Sequence, residues 1–291
     1  MLEMLAGLKN PIMNGLLLGG LYGIVGVGLS MIFGIVRVVN LAHGDLVILA
    51  SYLSFVTLSI FKVSPLLTLV LVIPAMFVIG FVIQYFLVNR VLGKDMNPPL
   101  LVAFGLSIIL QNLLLLVFTP DARALLTGLS IATLPVGGFL NIPVVYLVDF
   151  IVALITIFLL SRFFSKTYLG KAIRAASDDE GAAELMGINP KRIYAWAMAI
   201  AGGTAAVAGV LVGMTFTFYP HTGPEYLIVA FGVVIVGGLG SLFGTFVGGL
   251  ILGLAQILGA HFLGPGFQLI SGYIILLLVL TFKPTGLFSK G

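Results

Sequence analysis

The sequence predicts an all-α, polytopic transmembrane bundle of about 8–10 spans, and three observations carry that expectation. Of 291 residues, 60% are apolar and 8% are charged, where ordinary soluble domains carry about 25% charged residues. Mean hydropathy is +1.23. The charges also cluster: stretches 10–36, 63–89, 96–120, 124–148, 193–224 and 226–282 contain no Asp, Glu, Lys or Arg. About 20 apolar residues let a helix cross a bilayer, and inside lipid a helix satisfies its own backbone hydrogen bonds. Membrane strands would instead alternate over segments of about 10 residues. A soluble globular protein, a disordered chain and a nucleic-acid-binding domain are excluded. The net charge of +4 reads as cations held in cytoplasmic loops. The chain contains no cysteine, which excludes disulfides and thiolate chemistry.

Residues 1–10, with Glu3 and Lys9 and no small-residue cleavage site, read as a short tail and not a signal peptide. Nine spans follow, at 11–36, 42–61, 65–89, 97–119, 142–161, 193–219, 226–240, 244–260 and 266–282, and dividing 226–260 differently gives eight or ten. Residues 1–291 thus form a single transmembrane domain. With nine spans the termini lie on opposite sides. A cytoplasmic C-terminus puts Arg37, Arg90, Lys94, Arg162, Lys166, Lys171, Arg174, Lys191, Arg192, Lys283 and Lys290 inside and Lys9, Lys62 and Arg123 outside. That ratio, 11 to 3, selects N-out, C-in by the positive-inside rule. Among 37 glycines, several lie four apart: Gly15, Gly19 and Gly23; Gly209 and Gly213; Gly240, Gly244 and Gly248. Such stripes let a second backbone approach closely, within this bundle or from a second subunit.

One sizeable polar segment, 162–192, interrupts the pattern and is placed in the cytoplasm. Ser177 and Glu180 fit a capping box, and Asp178, Asp179 and Glu180 suit the first turn of a helix. Ala182, Ala183, Leu185 and Met186 follow, flanking Glu184. Gly187 suits a left-handed stop, with Pro190 beyond it. The expected helix has about two and a half turns, too few to stand alone in water. It either folds back on the bundle or headgroups, or docks as a peg into a cleft of a soluble protein.

Ionisable groups near spans are costly and draw attention to function. Asn40, His43 and Asp45 are placed at the cytoplasmic junction of spans 1 and 2, and His221 and Glu225 at the outer junction of spans 6 and 7. His43-Gly44-Asp45 and His221-x-Gly223-x-Glu225 share an order of residue types on opposite sides of the membrane, as inverted repeats with broken helices would. His43 and Asp45 read as a local helix-start cap or as gate residues. Glu225 reads as a first-turn acid or as a gate or partner contact. Asp149, within span 5, requires a partner, a wet cavity or the outer interface. His261 reads as interfacial. No grouping has metal-ligand spacing or the context of a catalytic triad, so no catalytic chemistry is expected.

The stretch GKAIRAASDDEGAAELMGINPKRI (170–193) resembles the cytoplasmic coupling segment of ABC-importer permeases, and especially the branched-chain amino acid permeases. MIFGIVRVVNLAHGDLVILASY (31–52), VVIVGGLGSLFGTFVGGLILGLAQ (233–256) and KPTGLF (283–288) resemble that family in the same order. The resemblance implies an importer in a bacterial or archaeal inner membrane. It would contain two permease subunits, two cytoplasmic ATPases and an extracytoplasmic binding protein. This chain would be one permease, without a cofactor, moving branched-chain amino acids or similar small amides and zwitterions. No G-x-x-x-x-G-K-[ST] loop occurs, so ATP would be hydrolysed by partner chains. The resemblance makes residues 177–187 the coupling element. A facilitator without an ATPase, with 162–192 as an ordinary loop, is the competing expectation.

Overall fold

The computed structural model describes residues 2–93, 97–136 and 140–288, with side chains from residue 7 onward. Lys94 and Lys290, part of the charge count above, lie outside the described residues, as does the Glu3 side chain. The elements are α1 (Leu2–Val36), α2 (His43–Phe61), α3 (Pro65–Val82), a π-helical turn (Ile83–Val88), α4 (Asn89–Val91), α5 (Asn97–Phe118) and α6 (Gly128–Ile131). Then come β1 (Thr133–Val136), β2 (Leu140–Pro143), α7 (Val144–Lys166), α8 (Tyr168–Asp178), α9 (Glu180–Leu185) and α10 (Pro190–Thr215). The chain ends with α11 (Gly223–Gly237), α12 (Leu242–Leu263), a 3-10 turn (Pro265–Phe267) and α13 (Gln268–Phe282).

All nine expected spans correspond to apolar helices, eight of them long enough to cross a membrane. The ninth, α11, has 15 residues, about 22 Å at 1.5 Å per residue, against a hydrocarbon core of about 30 Å. Three local expectations change. Residues 2–10 continue α1 with Pro11 inside the helix, so there is no separate tail. Helix α7 runs on to Lys166, past the expected end at 161, because long basic side chains carry their charge to water while the backbone stays helical. Before α7, β1 and β2 form an antiparallel hairpin pairing Thr133 with Pro143 and Val136 with Leu140. Its short strands left no apolar run to read.

Helices α1 and α10 are the buried central pair, while α13 buries fully only Gly272. A repeated arrangement surrounds them. Helix α1 packs on α12 through Gly15 and Gly19, whose added Cβ atoms would meet the Leu254 and Leu250 Cα atoms, and Gly249 and Gly253 return the contact against Gly19 and Gly15. Helix α10 packs on α3 in the same manner, with Gly202 against the Met76 carbonyl and Gly80 against the Met198 carbonyl. Gly209 seats α10 on α2 at Val47. These glycine contacts are made inside the bundle. Gly240 leaves its expected stripe: it lies in the α11–α12 turn with φ of 79°.

Candidate functional site

Two helix starts meet inside the bundle. Helix α1 ends at Val36, and Arg37 follows with φ of 56°, a left-handed conformation that turns the chain out of the helix. Residues 37–42 then fold back along α1. Asn40 Oδ1 accepts from the Ala42 amide at 3.1 Å, closing a turn before α2, and Asn40 Nδ2 reaches Met198 Sδ at 3.9 Å. His43, the first residue of α2, donates from Nε2 to the Val25 carbonyl at 2.8 Å. Val25 lies eleven residues before the end of α1, about 16 Å back along its axis.

Asp45 is 1% exposed. Its Oδ2 accepts from Ser107 Oγ at 2.5 Å, and Gln111 Nε2 donates to the same Ser107 oxygen at 3.0 Å. Ser107 stands midway along α5, ten residues from its start and eleven from its end. Asp45 Oδ1 faces Gly223, the first residue of α11. A methyl group on Gly44 would overlap the Gly223 carbonyl, and one on Gly223 would overlap the Asp45 carboxylate. The two helix N-termini therefore abut near the middle depth of the bundle, and only glycine leaves room for the contact.

This corrects the placement of the two His-Gly-acid segments on opposite faces. The segments before α2 and α11 enter from opposite ends of the bundle, but their helix starts converge. Hydropathy places a break at a membrane surface and has no means of seeing a connection fold inward. His43 and Asp45 are also not a local cap, since they bond to α1 and α5. Glu225 and His221 remain exposed, Glu225 two residues into α11. Asp149 is wholly buried, and its Oδ2 accepts from Thr215 Oγ1 at 2.6 Å, at the end of α10, which answers its need for a partner on one oxygen and leaves Oδ1 without a hydrogen bond. His261 is exposed in the last turn of α12. Ser107 and Gln111 were missed. Their signal was the i, i+4 spacing of two polar side chains on one face of an apolar span.

The 162–192 segment is divided differently from the expectation. Helix α8 continues through Asp178, and Asp179, not Ser177, caps α9 by accepting from the Ala182 amide at 2.9 Å. The capping box does not form because Ser177 Oγ donates elsewhere, to the Gly34 carbonyl of α1 at 2.7 Å. Arg37 Nη2 donates to the Ser177 carbonyl at 3.4 Å. Ala172, Ile173 and Ala176 bury one face of α8 against the bundle. Helix α9 has six residues, Glu180–Leu185, and Gly187 follows with φ of 80°, the expected left-handed stop. Ala183 is 4% exposed, so it anchors the corner inward. Leu185 and Met186 project from it, 91% and 81% exposed, while Ala182 and Glu184 are also exposed.

Comparison with known proteins places this architecture. A family model described as "Branched-chain amino acid transport system / permease component" matches residues 11–281. The high-affinity branched-chain amino acid transport system permease protein BraD of Pseudomonas aeruginosa is 32% identical, covering 96% of this chain and 95% of that protein. The corresponding LivH of Escherichia coli is 31% identical over 95% of this chain and 94% of its own length. Among solved structures, PsaBC from Streptococcus pneumoniae in complex with Fab matches with a TM-score of 0.53 at 14% identity, covering 98% of this chain and 97% of that one. That likeness supports the fold alone. With its central helix pair, inward-folded breaks and apolar spans, this multi-pass membrane protein belongs to the branched-chain amino acid transport permease family.

Proposed function

We propose that the chain is one permease subunit of an ATP-driven importer, carrying branched-chain amino acids or similar small amides and zwitterions into the cytoplasm by alternating access. The observation that carries this reading is the corner at Leu185 and Met186: two large apolar side chains, almost fully exposed, on a short polar segment. Leaving them in water forfeits about 1.5–3 kcal/mol each, so a partner surface is required. An ATPase cleft is the partner this family membership suggests. Residues 177–187 then form the coupling element, on the cytoplasmic side with the C-terminus, and the N-terminus lies outside. A second permease, a second ATPase and an extracytoplasmic binding protein complete the assembly.

Force entering at α9 has a continuous route inward. Asp179 begins the corner, Ser177 bonds to Gly34, and Arg37 bonds back to Ser177. The chain from Arg37 leads through Asn40 to His43 and Asp45, where α2 meets α11. ATPase closure would bias the tilt of these two abutting starts, a population shift between two conformations. Glu225, exposed beside the junction, would have to face a wet path or another chain, since lipid is a costly neighbour for a carboxylate. Asn40, His43, Asp45 and Glu225 are accordingly the gate and pathway residues of this proposal.

The test is Met186→Arg in the assembled transporter reconstituted with its ATPases and binding protein. Uptake and ATPase co-purification should fall together, by tenfold or more on the scale of a lost interface anchor. Uptake that persists with the ATPases omitted would instead identify a facilitator.

A further inference from the structure

A groove lies beside the exposed corner, where the π-helical turn and α4 meet the start of α10. It encloses about 520 Å³ and is lined by Tyr85, Phe86, Asn89, Arg90, Lys191 and Arg192, among others. Asn89 Nδ2 donates to the Lys191 carbonyl at 2.8 Å and Asn89 accepts from Gln84 at 3.1 Å, which ties the two walls together. The three cations are exposed. Among the described residues the one ion pair is Arg123 with Asp121, so none of these three cations is ion-paired with a described carboxylate.

The groove also has a defined depth. Arg90 directly follows the charge-free stretch 63–89, and Lys191 and Arg192 directly precede the charge-free stretch 193–224. Positive charge therefore stands at the edge of the apolar layer on both walls. Below it runs an aromatic column. Trp196, the one tryptophan of the chain and one turn beyond Arg192, packs edge-on to Phe81 at 5.0 Å between centroids and near Phe77 at 5.8 Å. Phe81 stacks on Tyr85 at 5.7 Å, and Tyr85 meets Phe86 at 5.1 Å. Tyr85 and Phe86 sit in the π-helical turn, whose extra residue widens the outward face of the helix. Amphipathic rings such as those of Trp196 and Tyr85 settle at headgroup level.

We propose that this groove binds the phosphate headgroup of an anionic phospholipid, with acyl chains lying along Phe77, Phe81 and Trp196. Three exposed cations, none of them ion-paired among the described residues, supply the charge complement, and the aromatic column below them favours a lipid over a free anion. Basic pockets between spans bind such headgroups by the same electrostatics. The site does not depend on which solute the permease carries.

The test uses the full-length permease purified in detergent. Phosphatidylglycerol or phosphatidylcholine is added, and retained lipid is counted by native mass spectrometry. Wild type should retain phosphatidylglycerol preferentially. The triple variant R90Q/K191Q/R192Q should lose it, by roughly fivefold per charge removed, with an unchanged melting temperature. The charge-preserving R90K/K191R/R192K should keep it, which separates loss of charge from loss of fold. Equal retention by the glutamine variant would overturn the proposal. So would displacement of the lipid by equimolar inorganic phosphate, which would mark a small-anion site. Loss of ATPase co-purification with lipid retention unchanged would assign the groove to the ATPase and overturn it equally.

Discussion

The α8–α9 corner and the α2–α11 junction break the composition rule of a membrane protein in opposite directions. At the corner, apolar Leu185 and Met186 stand exposed on a polar segment. At the junction, polar His43 and Asp45 are buried in an apolar bundle. The difference lies in whether the misplaced group is answered within the chain. His43 has the Val25 carbonyl and one Asp45 oxygen has Ser107, so the buried polar groups of the junction find their partners inside the chain, leaving only Asp45 Oδ1 without a hydrogen bond. Leu185 and Met186 have no comparable cover, so under the proposed coupling role the corner is completed from outside.

The largest effect expected from this contrast is at Gly44. Gly44→Leu drives a side chain into the Gly223 carbonyl, in a core with no slack to absorb it. No monodisperse protein should survive fluorescence-detected gel filtration, whereas recovery with a parental melting curve would disprove the abutment. Next come two neighbours on α9 that should behave oppositely. Ala183→Arg buries an unpaired charge and should destabilise by about 3–5 kcal/mol. Met186→Arg should leave thermal stability unchanged while removing uptake. If both lower stability alike, the corner is not divided into an anchored and a free side. Ser107→Ala leaves the Asp45 carboxylate short of a donor and should cost about 1–3 kcal/mol in a denaturation series. Ser177→Ala should cost least, about 1 kcal/mol. Its informative readout is the ratio of ATP hydrolysed to solute moved, which should rise if the Ser177–Gly34 bond transmits closure.

Most of the spans were legible because hydropathy alone sets them: 65–89 became Pro65–Val91 across a π-helical turn, and 97–119 became Asn97–Phe118. Gly187 was legible as a stop because a left-handed residue after a short helix favours glycine. The error at Ser177 had a physical source. Its hydroxyl suits either the local amide or the distant Gly34 carbonyl, and tertiary contact decided between them. The junction was half legible. The residues were singled out, but their convergence was not, since nothing local to 40–45 or 221–225 records that both connections turn inward. Ser107 belonged to the same site and carried a readable i, i+4 polar pair with Gln111.

The abutment of Gly44 on Gly223 also bears on how the chain is made. About 180 residues separate the two glycines, so synthesis delivers the first long before the second. Until α11 arrives, the mouth of α2 stays uncovered, with the Asp45 carboxylate facing whatever surrounds the nascent segment. The start of α2 is therefore left without this contact during synthesis, and its final packing waits for the late half to emerge.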